Sequence, residues 1–192
     1  MNELINNTNK LIDPFGRTVD YLRVSVTDRC DFRCTYCMAE DMQFLPKKDI
    51  LSLEELEDIC RVFMRLGTRK IRLTGGEPLV RKGIMQVINN LGKEVGNSLD
   101  ELTITTNGSQ LETKAEELFN AGVRRINVSL DHLDPDKFKE ITRWGDLEKV
   151  KTGLKKARDV GLKIKINTVE KSNLNQYHLS EILKWCGEEN YD

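Results

Sequence analysis

The sequence predicts an α/β fold: an incomplete parallel βα barrel of about five strand–helix units, with a polar-lined lumen. Three observations carry this expectation. Short β-rich runs alternate with amphipathic helical runs along the chain, a pattern that implies a parallel sheet of right-handed crossovers. Glycines and capping residues punctuate the helical runs. Every strand candidate has one apolar and one polar face, whereas parallel strands covered on both faces read as nearly continuous apolar runs.

The elements follow in order. Leu22–Val26 sets Leu22, Val24 and Val26 against Arg23, Ser25 and Thr27. Leu53, Leu56, Ile59, Cys60, Phe63 and Met64 then recur at helical spacing, with Ser52 and Glu55 as a capping box and Gly67 as the stop. The strand Lys70–Thr74 sets Ile71 and Leu73 against Arg72 and Thr74, and a helix covers Ile84 to about Val95. Leu102–Thr106 sets Leu102 and Ile104 against Thr103 and Thr105, before a helix from Leu111 to Ala121. Arg125–Leu130 sets Val128 and Leu130 against Asn127 and Ser129; the helix after it carries Leu147, Val150, Leu154, Ala157 and Val160. Lys163–Val169 sets Ile164 and Ile166 against Lys163, Lys165 and Asn167, and Leu179, Ile182, Leu183 and Cys186 mark the last helix. Residues 1–14 are expected to be a flexible segment and 15–192 one barrel domain, with no linker between domains.

An antiparallel sheet with one wet face would also alternate, but the intervening helices argue against it. The polar faces therefore line an inner surface that holds Arg23, Arg72 and Lys165. Isolated buried charges are costly, so these cations are expected to meet an anion. A polyphosphate suits forked Arg groups and a point-charge Lys.

Composition narrows the function classes. Thirty Lys+Arg against 31 Asp+Glu give a formal net charge of −1, which argues against general nucleic-acid affinity. No apolar run approaches the ~20 residues of a membrane helix, and the polar start, Met1 to Lys10, is not a secretory signal. Five cysteines, an odd number, argue against a disulfide framework and for a reducing, cytoplasmic setting. Cys60 and Cys186 lie on apolar helix stripes and read as core; Trp144 and Trp185 read as packing. Lys47, Lys48, Lys155 and Lys156 read as solvated faces, and His132 and His178 have no nucleophile partner.

The chemistry concentrates in Cys30-x3-Cys34-x2-Cys37, directly after the first strand. In a βα barrel that end carries active sites. Three close thiolates suit a soft metal. Structural zinc wants four ligands, and no second pair is present. A [4Fe–4S] cluster ordinarily takes four thiolates; with three, one iron keeps an open position. A second motif, Thr74-Gly75-Gly76-Glu77-Pro78, follows the second strand. Alone it could be a strand-ending turn, its glycines permitting close backbone approach to a ligand.

Together the two motifs, with Tyr36 before the last cysteine, resemble those of the radical S-adenosylmethionine (SAM) enzymes. Within these the chain is most similar to the GTP 3',8-cyclases of molybdenum cofactor biosynthesis, from about Phe15 onward. The carrying segments are Leu22 to Cys30, Phe44-Leu45-Pro46, Lys70 to Leu79, Thr105 to Gly108, Arg125 to Asp131 and Lys163 to Asn167. The resemblance implies that Cys30, Cys34 and Cys37 hold a [4Fe–4S] cluster. It implies that Gly75, Gly76 and Glu77 receive the SAM amino group, with Tyr36 and Ser129 also contacting SAM. It assigns Arg23, Arg72, Thr105 and Lys165 to GTP. The implied reaction is reductive SAM cleavage to a 5'-deoxyadenosyl radical, which takes a ribose hydrogen from GTP before ring closure onto the guanine. The implied partners are GTP, an electron donor and a second copy in a homodimer, with no nucleic acid and no membrane.

The chain departs from that family at Ala39, where proline is usual, and at its end. The family's further strand–helix unit, its second three-cysteine cluster that binds guanine, and its Gly-Gly tail have no counterpart. The fifth strand is therefore expected to be an open edge, and guanine recognition is not implied for this chain alone. Two alternatives stay open: another radical SAM enzyme such as a peptide maturase, and a module that binds without turnover.

Overall fold

In the computed structural model, residues 10–171 and 176–192 are described. Five strands, β1 (Tyr21–Ser25), β2 (Lys70–Thr74), β3 (Glu101–Thr106), β4 (Arg125–Ser129) and β5 (Lys163–Asn167), form one sheet in sequence order. All four pairings are parallel. Six helices are described: α1 (Leu53–Arg65), α2 (Ile84–Gly92), α3 (Leu111–Asn120), α4 (Pro135–Thr142), α5 (Leu147–Asp159) and α6 (Leu179–Glu189). The capping box on α1 forms, with the Ser52 hydroxyl accepting from the Glu55 N–H and the Glu55 carboxylate accepting from the Ser52 N–H.

Strand alternation places one apolar face under the helices. Val24, Ile71, Leu73, Leu102, Ile104, Ile126, Val128 and Ile164 are buried in one core with Leu56, Ile88, Leu118 and Leu154 of the helices. Cys60 and Cys186 join this core, so both are packing residues. Sheet and helices thus behave as the alternation predicts, with shifts at the ends. β1 begins and ends one residue early, although Val26 still donates to the Thr74 carbonyl at 2.8 Å. α2 ends at Gly92 rather than Val95.

Two differences are larger. α4 was not predicted; Asp134 caps it through the Lys137 N–H and Pro135 opens it, a start signal with a short apolar stripe behind it. At the N-terminus, residues 1–9 of the expected flexible segment lie outside the described residues. Within the rest of it, Leu11 donates to the Leu66 carbonyl at 3.2 Å and Ile12 bridges Thr18, so order begins before residue 15. At β5, Asp192 donates to the Ile164 carbonyl and its carbonyl accepts from Ile166. The expected open edge therefore already carries one ladder step. Among the described residues no helix is long and apolar enough to cross a membrane.

Candidate functional site

The site is built on the loop after β1, which has no helix or strand between Val26 and Pro46. Its three cysteines are free; Cys30 and Cys34 are half-buried and Cys37 is exposed. Phe32 anchors the loop in the core, edge-on to Phe138 of α4 at 6.0 Å. The rest of the loop's shape is imposed by neighbouring strand ends. Gly76 and Glu77 donate backbone N–H groups to the carbonyls of Thr27 and Arg29, both at 2.8 Å. Asp31 accepts from the Asn107 amide at 2.7 Å and the Ser109 hydroxyl at 2.6 Å, both beyond β3. Arg33 and Thr35 donate backbone N–H groups to Thr142 and Ile141 at the end of α4. The Tyr36 hydroxyl donates to Asp131, just beyond β4, at 2.7 Å.

The glycines of the second motif serve this packing. A Cβ on Gly76 would lie 2.3 Å from the Arg29 carbonyl oxygen, and one on Gly75, where φ is +141°, would lie 2.4 Å from that of Thr27. The close approach that the glycines permit is used by the cysteine loop, whereas the expectation was approach to a ligand. Glu77 also turns inward. Its side chain is fully buried, accepting from the N–H groups of Leu79 and Asn107 and from the Thr106 hydroxyl. Its carboxylate is committed to this brace, and its backbone N–H to the Arg29 carbonyl. Burial pushes the Glu77 carboxyl up to about 7, against the donors that pull it down.

Burial also pushes the Cys30 thiol up to about 11 and Cys34 to about 12, with Asp31 and Asp131 respectively adding to the effect. A coordinated metal reverses this, since a coordinating thiol is deprotonated outright. A closed zinc centre takes four ligands, whereas a cluster binds its thiolates at separate irons; three free thiols on one loop fit the second demand.

Below the loop, register orders the polar sheet face. Arg23, Arg72, Thr103, Arg125 and Lys163 form one row across all five strands. One level higher, Thr105, Asn127 and Lys165 are register partners, and the next level carries Ser129 beside Asn167. Arg23 and Arg72 are thus direct neighbours. Lys165 is not gathered with them: three strand spacings separate β2 from β5, about 14 Å across a flat sheet. The expectation that burial forces these cations onto an anion is corrected for two of them. Arg23 and Lys165 are exposed, so water can solvate them. Arg72 is half-buried, its guanidinium over the Tyr21 ring at 5.4 Å and its Nε buried without a hydrogen-bond partner. Sequence reasoning passed over Asp31, Asn107 and Arg33; their motif neighbours were the available signal. Arg125, in the cation row, is held by Glu101 at 2.9 and 3.0 Å.

Fold and site together define an α/β protein of the βα-barrel kind with a thiol loop at the C-terminal ends of its strands. The Radical SAM superfamily model matches residues 24–186, and the chain belongs to that superfamily. Membership implies a [4Fe–4S] cluster and SAM binding. Curated GTP 3',8-cyclase from Rhizobium leguminosarum bv. trifolii (strain WSM2304) is 61% identical over 183 residues, 95% of this chain and 53% of its own. That of Brucella ovis is 60% identical over 184 residues, 95% of this chain and 54% of its own. The chain spans about half the length of the curated relatives it matches. Among solved structures, Streptococcus suis SuiB bound to S-adenosylmethionine has a TM-score of 0.74 at 21% identity, covering 90% of this chain and 39% of that one. Methylornithine synthase has a TM-score of 0.67 at 14% identity, covering 90% and 50%. These two share the fold.

The buried Glu77 gives a pH dependence. Its carboxyl is raised from 4.5 to about 7 in the folded chain. Its contribution is therefore complete below the unfolded value and lost as pH rises through about 7. The unfolding free energy from urea titration should fall between pH 4.5 and 7.5 in the native chain, by roughly 3 kcal/mol from this group, and the Glu77→Gln variant should be flatter over that window.

Proposed function

We propose that this chain carries the SAM-cleaving and triphosphate-binding site of a GTP 3',8-cyclase of molybdenum cofactor biosynthesis. The observation that carries the reading is the order of groups along one sheet face. Thiols stand at the strand ends, hydroxyl and amide groups lie beneath, and the neighbouring guanidinium groups of Arg23 and Arg72 lie lowest. Four residues of parallel strand, about 13 Å, separate the Ser129 level from the Arg125 level. That spacing suits a nucleoside triphosphate lying along the strands, its ribose near the thiol end and its phosphates at the cation row. The identity to curated cyclases supports GTP as that nucleotide.

In this reading Cys30, Cys34 and Cys37 hold the [4Fe–4S] cluster. When bound, that cluster supplies one-electron reductive cleavage of SAM to methionine and a 5'-deoxyadenosyl radical. The backbone of Gly75, Gly76 and Glu77, with Tyr36 and Ser129, orients SAM at the strand ends. Arg23 and Arg72 orient the triphosphate as a paired fork, and Thr105 and Lys165 hold the substrate one level above. Each turnover needs an external electron donor, and free thiols suit a reducing, cytoplasmic setting. Residues from 15 onward act as one barrel domain, and a homodimer is the expected assembly. Behind the peptide-maturase alternative stands a fold likeness to Streptococcus suis SuiB, solved bound to a precursor peptide, at 21% identity.

Anaerobic reconstitution with iron and sulfide tests this. The expected result is about one [4Fe–4S] per chain, ligated by three thiolates, with slow 5'-deoxyadenosine release on reduction with SAM. Stable zinc binding in place of a cluster would sink the reading. The substrate assignment has its own check. Arg72→Ala should weaken GTP binding about tenfold through loss of a charge-assisted fork, while cluster content stays the same; unchanged affinity would overturn the lumen assignment.

A further inference from the structure

Arg33 lies between Cys30 and Cys34 in sequence, and its side chain does not reach for water; it is 6% exposed. Its guanidinium lies over the Trp144 ring at 4.2 Å and near the Phe44 ring at 5.1 Å. Nη1 donates to the carbonyls of Cys30 at 2.7 Å and Phe32 at 2.8 Å. Nε is buried without a partner. Among the described residues no carboxylate forms an ion pair with Arg33: Asp31 faces Asn107 and Ser109, Glu40 faces Arg143 at 3.7 Å, and Asp28 accepts from the Leu45 N–H at 2.7 Å while its other oxygen is buried without a partner.

A guanidinium keeps its charge in a protein, and an uncompensated buried charge is costly. Ring faces and neutral carbonyls offset part of that cost, but they bring no opposite charge. Other arginines with restricted access meet carboxylates, as Arg61 meets Glu57 and Arg125 meets Glu101. Arg33 is bonded instead to the carbonyl of a cysteine that the Radical SAM reading makes a ligand. Three thiolates outweigh the charge of an oxidised [4Fe–4S] core, so the ligated cluster is net negative, and reduction adds one more negative charge.

We propose that Arg33 is a positioning residue for the cluster. Its fixed charge is the counter-ion of the thiolate-ligated cluster, and its bonds to the Cys30 and Phe32 carbonyls set the bend that spaces Cys30 from Cys34. The proposal rests on the cluster reading above. Arg33→Gln keeps a donor for the carbonyls and removes the charge; Arg33→Lys keeps the charge and removes the fork.

After anaerobic loading of the full chain, two readouts separate a charge role from a merely structural one. The first is the ratio of reduced to oxidised cluster at a fixed solution potential. It should fall roughly tenfold in Arg33→Gln and return most of the way in Arg33→Lys. The second is the rise in melting temperature on loading, which should be smaller in Arg33→Gln than in the native chain and restored in Arg33→Lys. A ratio in Arg33→Gln equal to that of the native chain overturns the proposal, as does an Arg33→Lys variant that behaves like Arg33→Gln. If Arg33→Gln holds too little cluster to titrate, the iron content of Arg33→Lys decides: retention supports the proposal and loss overturns it. A native chain that takes up no cluster overturns the reading beneath, whereas a loaded native chain indistinguishable from Arg33→Gln overturns this proposal alone.

Discussion

The loop after β1 has to present three thiols to one place, yet it contains no regular structure that could hold them. Its rigidity is borrowed. Backbone N–H groups from Gly76 and Glu77, side chains from Asn107 and Ser109, and carbonyls of Ile141 and Thr142 each fix a different point of it. These partners lie far along the chain, and only a parallel sheet in its observed register brings the ends of β2, β3 and β4 to the same level. A one-residue slip of any strand would turn its polar face into the core and withdraw its bond to the loop. The apolar core of Ile71, Leu73, Ile104 and Val128 is therefore what keeps the thiols in place.

The buried carboxylate of Glu77 shows how tightly the layers are coupled. It follows two glycines that tolerate the Thr27 and Arg29 carbonyls almost at contact. It then reaches sideways to the Asn107 N–H and the Thr106 hydroxyl at the end of β3. Asn107 in turn bonds Asp31 in the cysteine loop. The turn, the third strand and the thiol loop thus form a closed ring of hydrogen bonds. In a low-dielectric setting a fully satisfied ring is rigid, and a broken one is costly.

Most of the architecture was legible in the sequence because the alternation of β2 and β4 is a local property. Ile71 and Leu73 against Arg72 and Thr74 could have had only one folded meaning once helices flanked them. α4 was not legible, since its eight residues carry a stripe too short to stand out. Side-chain destinations were legible only in part. A motif shows that Glu77 sits beside two glycines, but not that its carboxylate turns inward to the end of β3, because the donors it accepts from lie some thirty residues on. Likewise, a charge on the polar face of a strand says nothing of exposure. Arg23 and Lys165 fell on edge strands, where water reaches them, and Arg72 on the second strand, where it does so less.

The distribution of unpaired charge gives that difference its meaning. Arg61, Arg69, Arg125 and Arg158 each meet a carboxylate. Two guanidinium groups have a buried Nε with no partner, Arg33 in the thiol loop and Arg72 on the cation row. Arg81, also without a carboxylate, still meets the Val26 and Leu51 carbonyls, so it is the unpartnered Nε that sets Arg33 and Arg72 apart. Arg33 lies in the loop beyond the strand ends, bonded to the Cys30 carbonyl, and Arg72 lies on the sheet face below, where the expected phosphates belong. Two cations that each keep a buried, unpartnered nitrogen, one in the thiol loop and one on the sheet below it, suit a site that must bind two separate anionic groups and keep uncharged chemistry between them.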